Sequence, residues 1–558
     1  MKYLMHGLKN TAMALGAVGA LTVSIGAWAQ PGHAAHGQSG LHSVVVSTAN
    51  GRVKGVRREQ MREFLGIPYA APPVGERRWK PPQPADSWHG VRKADQFANN
   101  CPQTATPFGN ASTDEDCLYL NVFTPEAGHG RAERDDARPV MVWLHGGAFI
   151  AGEGSDYDPS PLVDKGVIVV TLNYRLGLLG FLSTSALSEA STDDASGDYG
   201  LMDQQAALEW VQRNIANFGG DPDNVTIFGV SAGGLSVLSH IVSPDARDLF
   251  DKAIVESGSY SAALPSVQPS LSQAEARGDA FAQQVGCAGE GVACLRDLSV
   301  STILENQGAG PLSVVPNSGT TVLPKNIYQS LAQGDFNKVP VIEGTNATEW
   351  RLFTALAHDL TADGPVTASG YEQAIADSFS IPPSLAQTIA ARYPLAAYDN
   401  PDLALSAAGT AAAFACPARR EINLLSAHVP TYAYEFADPE APQIFVPPVP
   451  SFDYGPTHTS EIAYFLDFTS EASLYDEPKF TDDQKDLSQQ MIDYWTSFAR
   501  NGNPNSAGGT ADFWPEFGRH NRYLRLTTPA LDTRGEQQLV DEHNCRFWDA
   551  IFEQAAAR

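Results

Sequence analysis

The chain has 558 residues, 43% of them apolar and 18% charged, a globular composition with enough apolar material for a large core, which excludes disorder for its body. Thirty-seven Lys and Arg stand against 64 Asp and Glu, a formal net charge of −27. So acidic a surface argues against nucleic acid and against an anionic membrane face as partners, because both demand basic patches.

The N-terminus reads as a secretory signal over residues 1–29. Lys2 and Lys9 supply a basic start, residues 11–27 are apolar and small, and Ala27-Trp28-Ala29 offers a cleavage site before Gln30. A membrane anchor is the alternative, but the apolar stretch is short and broken by Gly16, Gly19, Ser24 and Gly26. Residues 30–40, rich in His and Gly, form an unstructured lead-in, and no later stretch is apolar for long enough to span a bilayer. A soluble protein, secreted or periplasmic after cleavage near Ala29, is expected.

From about residue 44, short apolar strands alternate with helical stretches, the pattern of a mostly parallel α/β sheet. Core strands are expected at 140–144, 167–172, 225–229, 253–256 and 339–343, several of them continuous apolar runs that suit strands covered on both faces. A helix is expected over 204–217, where Ala206, Leu208, Trp210, Val211 and Ile215 recur at near-helical spacing. Pro- and Gly-rich stretches at 66–84, 310–324 and 440–456 read as long functional loops within one catalytic domain, 41–555, whose insertions cap one end of the sheet.

All six cysteines follow the signal, and an even number in an exported chain favours disulfides, with buried thiols as the alternative. No Cys-x-x-Cys pair and no Cys/His cluster of zinc spacing occurs, so no metal is expected. Spacing alone leaves the pairing open.

A serine hydroxyl is a poor nucleophile unless a base takes its proton and donors stabilise the developing oxyanion. Gly229-Val230-Ser231-Ala232-Gly233 lies between an apolar strand and residues 234–238, which can open a helix, so Ser231 is expected on a sharp strand-to-helix elbow. His145-Gly146-Gly147-Ala148 directly follows the run 140–144. Its glycines let backbone N–H groups face a substrate oxygen, making Gly146, Gly147 and Ala232 the expected oxyanion donors. An ordinary glycine turn is the bland alternative, and the order of the two motifs along the chain argues against it. The base and its orienting acid must follow Ser231. His358, His428, His458, His520 and His543 all do, and spacing does not choose among them.

Several blocks together resemble the type-B carboxylesterase family, which includes cholinesterases and bile-salt-activated lipases. The run from Phe218-Gly219-Gly220-Asp221-Pro222 to Gly233 is similar to that family's active-site signature, and Glu115-Asp116-Cys117-Leu118-Tyr119-Leu120-Asn121-Val122 to its second one. Phe64-Leu65-Gly66-Ile67-Pro68-Tyr69-Ala70 and Asn173-Tyr174-Arg175-Leu176-Gly177 are further similar blocks. The resemblance covers nearly all of the mature chain. It implies the α/β-hydrolase fold and hydrolysis of carboxylic esters through an acyl-enzyme, with a small-molecule ester as partner and no cofactor. Gly344-Thr345-Asn346-Ala347-Thr348-Glu349 matches the block of the acid, which makes Glu349 the orienting carboxylate. His458-Thr459-Ser460-Glu461-Ile462 matches the block of the base, which makes His458 the general base with Glu461 in support. Ser257, in Glu256-Ser257-Gly258, matches a serine that hydrogen-bonds the acid. The resemblance also implies disulfides Cys101–Cys117, Cys287–Cys294 and Cys416–Cys545, and structural ion pairs Arg78–Glu115 and Arg175–Asp203.

Departures from the pattern bear on substrate. Cholinesterases place a Trp in the first disulfide loop and a Glu before the nucleophile, whereas here residues 102–116 hold no Trp and Val230 precedes Ser231. A cation–π site for quaternary ammonium is therefore not expected. Residues 313–319 also depart from the family's arrangement, leaving the acyl pocket undefined. A lipase would be expected to show an amphipathic lid or a basic surface, and neither is evident. Lactones, polyesters, amides and carbamates are open to the same machinery. A non-catalytic binding module of the same fold would have lost the nucleophile, but Ser231, Glu349 and His458 are all present. Residues 547–558 do not read as a long association helix, so a monomer is expected.

Overall fold

The computed structural model describes residues 43–58, 61–126, 137–259, 268–308, 314–468, 479–505 and 512–556. The expected signal, 1–29, and lead-in, 30–40, lie outside the described residues. Strands β1 (Ser43–Thr48), β2 (Gly51–Arg58) and β3 (Met61–Pro68) form an antiparallel ribbon, with β4 (Val91–Lys93) beside β2. There follow β5 (Tyr119–Pro125), β6 (Arg138–Leu144), β7 (Tyr157–Asp158), β8 (Ile168–Leu172), β9 (Gly220–Val230) and β10 (Lys252–Glu256). Then come β11 (Val341–Asn346), β12 (Thr431–Phe436), β13 (Asp467–Phe468), β14 (Arg522–Leu526) and β15 (Asp532–Gly535). The main sheet is ordered β1-β2-β3-β5-β8-β6-β9-β10-β11-β12-β14-β15, while β7 and β13 form a separate pair. Pairing is parallel from β8 through β14 and antiparallel at β15 and from β8 back to β1.

The period of two along each strand divides the apolar side chains between two cores. Val140, Val142, Leu144, Val225, Ile227 and Val255 pack against the helices Tyr199–Asn214 and Ala232–Val242. Met141, Trp143, Phe228, Val230 and Ile254 pack on the other face, against Met491, Trp495 and Phe498 of the helix Asp482–Asn501. Both faces being covered, the central strands read as continuous apolar runs. The chain between β11 and β12 is a helical insertion, including Tyr371–Phe379, Pro383–Arg392, Pro401–Thr410 and Cys416–Ser426, and it shares its apolar core with Tyr523 of β14 and with Leu539, Val540, Trp548 and Phe552 near the C-terminus. A mostly parallel sheet with antiparallel edges, wrapped by helices, is the α/β-hydrolase fold.

Two boundaries differ from expectation. The helix expected at 204–217 begins at Tyr199 and gives way at Ile215 to a 3-10 turn, Ile215–Phe218, that ends on Gly219 at φ 93°. The strand expected at 339–343 begins at Val341, after Pro340, which has no N–H to donate to a ladder.

The three disulfides join the cysteines that the resemblance paired: Cys101–Cys117, Cys287–Cys294 and Cys416–Cys545. Arg78 grips Glu115 with two nitrogens, and Arg175 grips Asp203 at 2.7 Å through both Nε and Nη2. Cys416 and Cys545 are 129 residues apart, so their bond removes a large share of the unfolded chain's freedom. Replacing both with serine is expected to cost about 2–5 kcal/mol, read as a lower urea midpoint. An unchanged midpoint would show that the bond is dispensable. Among the described residues no helix is long and apolar enough to cross a membrane.

Candidate active site

β9 runs directly into the helix Ala232–Val242 with Ser231 alone as the joint. Ser231 has φ 58° and ψ −121°, a backbone state that costs on the order of 1–3 kcal/mol and persists only where surroundings impose it. They do so here. The Ser231 N–H donates to Glu256 O at 2.9 Å, and the Ser231 carbonyl accepts from Leu235 N at 2.8 Å. On the inner side the backbone of β6 presses so close that a Cβ at Gly233 would stand 1.8 Å from Leu144 O. Only glycine fits that position, and this tight fit holds the elbow in place.

The glycine turn after β6 lies against the elbow. A Cβ at Gly146 would stand 3.4 Å from Ser231 Cβ and 3.0 Å from Val230 O. Gly147, Ala148 and Phe149 follow at φ 104°, 55° and 60°, three left-handed residues in a row. The Ile150 and Ala151 N–H groups both donate to Gly147 O at 3.0 Å. His145 is fully buried, stacked on Tyr174 with ring centroids 4.4 Å apart. Burial lowers its pKa to about 4, so the ring is neutral, and Nδ1 lies 2.8 Å from Gly146 O. Nδ1 is therefore the protonated nitrogen and donates to that carbonyl. His145 thus braces the turn; the sequence marked it only as the first residue of a glycine motif.

The expected acid and base meet. Glu349 follows β11, fully buried, with Oε2 2.7 Å from His458 Nδ1 and Oε1 accepting the Asn346 N–H at 2.7 Å. The Glu349 carbonyl accepts from His458 N at 3.3 Å and from Thr457 Oγ1 at 3.2 Å, so main chain and side chain dock together. The rings of Phe353 and Phe414 flank the imidazole, each at 5.0 Å. Ser231 follows β9, and Glu349 follows β11, at the same carboxyl edge of the parallel strands. His458 Nε2 is buried with no hydrogen bond to any described residue, so Ser231 and His458 are not hydrogen-bonded to each other here. Such bonds are often long before substrate binds. The other downstream histidines lie elsewhere. His543 forms its own buried pair with Glu435 at 2.8 Å, His428 and His520 are exposed, and His358 is half-buried.

One supporting residue departs from expectation. Ser257 Oγ is buried and makes no hydrogen bond to a described residue. Ser257 instead joins β10 to β11 through its N–H, which donates to Gly344 O at 2.9 Å. Glu461 reaches the acid indirectly: its Oε2 accepts from the Asn346 side chain, while the Asn346 main-chain N–H donates to Glu349. Burial, reinforced by the Glu349 charge, pushes the Glu461 carboxyl well above the usual range.

Further buried acids surround this core. Glu256 accepts from Trp495 Nε1 at 2.6 Å, and burial pushes it up to about 8. Glu343 on β11 and Glu421 on the helix Cys416–Ser426 are fully buried, the Glu343 charge raises the Glu421 carboxyl further, and Ser259 Oγ donates to Glu343 at 2.6 Å. Asp198 was not anticipated. It holds the loop after residue 313 by accepting from Asn317 N at 2.9 Å and Thr320 Oγ1 at 2.8 Å, and burial raises it to about 7. The only sequence signal was a Gly-Asp pair before a helix.

A serine on a strained elbow of this sheet, beside a glycine turn and a buried carboxylate–imidazole pair, is an arrangement that fits a hydrolase of the α/β type. Comparison with known proteins narrows the class to carboxylic-ester hydrolases: the chain belongs to the carboxylesterase family, whose model matches residues 42–548. It is 36% identical over 518 residues to the human (Homo sapiens) cocaine esterase, covering 88% of this chain and 87% of that one. It is 34% identical over 495 residues to the para-nitrobenzyl esterase of Bacillus subtilis (86% and 93%). To the fumonisin B1 esterase of Sphingopyxis macrogoltabida it is 35% identical over 534 residues (90% and 90%).

Proposed function

We propose that this carboxylic-ester hydrolase is exported and works through an acyl-enzyme, with Ser231 as nucleophile, His458 as general base and Glu349 as its orienting acid. The observation that carries this reading is the buried 2.7 Å Glu349–His458 bond at the sheet edge that also holds the Ser231 elbow. The Glu349 contact fixes the proton on Nδ1 and leaves Nε2 free to accept one. Ser231 Oγ attacks the ester carbonyl carbon as its proton passes to His458 Nε2, and the carbonyl oxygen becomes an oxyanion facing the N–H groups of Gly146, Gly147 and Ala232. The C–O bond to the alcohol then breaks, and His458 returns the proton to the leaving oxygen. Water, deprotonated by His458, releases the acid and restores Ser231.

The walls favour bulky uncharged esters. Phe353 and Phe414 each lie 5.0 Å from the His458 ring, and Trp350 packs on Phe353 at 4.8 Å. Val230 precedes Ser231 and the first disulfide loop has no Trp, which disfavours choline esters. The three relatives named above have bulky molecules in their printed names, in line with a broad environmental substrate range. Three disulfides suit an oxidising compartment and agree with a signal over 1–29 and a single domain over 41–555.

The test is covalent. A fluorophosphonate is expected to label the peptide containing Ser231 at one equivalent, and Ser231→Ala is expected not to label. Stoichiometric labelling of that variant would overturn the assignment.

A further inference from the structure

The loop closed by Cys101–Cys117 grips the glycine turn from behind, and we propose that Gln103 of this loop is a positioning residue for the oxyanion donors. The inference rests on the reading of Gly146 and Gly147 given above. Gln103 is 1% exposed, and its carboxamide engages both backbone groups of Gly152: Oε1 accepts the Gly152 N–H at 2.8 Å and Nε2 donates to Gly152 O at 3.1 Å. Nε2 also donates to Cys101 O at 3.2 Å, which ties the same amide to the disulfide.

Gly152 is in direct contact with the donors' end of the turn. A Cβ at Gly152 would stand 2.4 Å from His145 Nδ1 and 2.6 Å from Gly146 O. A Cβ at Gly147 would stand 2.0 Å from Ala151 O and 3.3 Å from Gly152 N. A displacement of Gly152 therefore moves Gly146 and Gly147. The next two residues are held from the same side. Asn110 Nδ2 donates to Glu153 Oε1 at 2.8 Å, and Asn173 accepts from Gly154 N at 2.8 Å while donating to Asn99 O at 3.0 Å.

A turn of three left-handed residues relaxes unless its surroundings hold it. Oxyanion donors act by being fixed before charge develops, so a restraint on their supporting residue affects the transition state more than the bound substrate. Gln103 touches neither substrate nor reacting atoms; it acts through Gly152.

The experiment compares the oxidised full-length enzyme with Gln103→Leu and Gln103→Glu, counting active sites by completed fluorophosphonate labelling. For Gln103→Leu, kcat per labelled site on a nitrophenyl ester is expected to fall by about 10–100-fold, the scale of a misplaced catalytic group. KM is expected to stay within about threefold, since ground-state binding is untouched. A trifluoromethyl ketone, which forms the tetrahedral oxyanion, should lose affinity in step with kcat, while the parent methyl ketone should not. Gln103→Glu keeps the acceptor for the Gly152 N–H. It is expected to show the same split at smaller size, and it carries the test if the leucine variant does not fold. A kcat per labelled site within about twofold of wild type in both variants, or equal losses for the two ketones, would overturn the proposal, the expected scale being far larger. Absence of labelling at Ser231 in the wild type would instead remove the reading on which it rests.

Discussion

Ser231→Ala and His458→Ala are each expected to lower kcat/KM by about 10⁴- to 10⁶-fold, with the double variant scarcely worse than either single one. The size follows from the unit they form: without the base the hydroxyl is a poor nucleophile, and without the hydroxyl the base has nothing to activate. Glu349→Gln should cost less, on the order of 10³- to 10⁴-fold, since the imidazole stays but loses the carboxylate that fixes its tautomer and stabilises its charge. Steady-state hydrolysis of a nitrophenyl ester measures all three. A loss under about tenfold for His458→Ala would remove it as the base, since base removal in such units costs orders of magnitude more.

The second large effect concerns stability against pH. Glu256 keeps its proton up to about 8 in the folded chain, whereas an unfolded glutamate releases it near about 4.3. Between those values the native state binds a proton that the unfolded chain has lost, so stability present at low pH is lost as pH rises. Glu343 and Glu421 act in the same direction, since burial and mutual repulsion keep the pair protonated. The urea midpoint is therefore expected to fall from pH 5.5 to pH 9. Glu421→Gln replaces one of the two buried acids with a neutral amide and should restore on the order of 2 kcal/mol at pH 9 and almost nothing at pH 5.5. A midpoint flat with pH, or a variant weaker than wild type at pH 9, would contradict this account.

What could be read from the sequence follows physical signal strength. The aliphatic strands β6, β8, β9, β10 and β11 announced themselves because both of their faces are buried. β1 and β2 alternate buried with exposed positions, and β12, Thr431–Phe436, carries Thr, Tyr and Glu inside a fully buried strand. Neither pattern marks a run as apolar. The elbow and the glycine turn were legible because close backbone approach demands glycine locally. Glu349 and His458 were not, being 109 residues apart, and only resemblance chose them from the downstream acids and histidines. Gln103 and Asp198 act through contacts of long sequence separation, and only the Gly-Asp pair before a helix hints at Asp198.

The Cys416–Cys545 bond has a further consequence. β12, His458, β13, β14 and the helix Asp482–Asn501 all lie between its two cysteines. A protease that nicks the chain once in that span yields two fragments that stay tethered, and after a nick between Cys416 and His458 the piece carrying the imidazole cannot diffuse from the piece carrying Ser231. The damage would be visible only on a reducing gel.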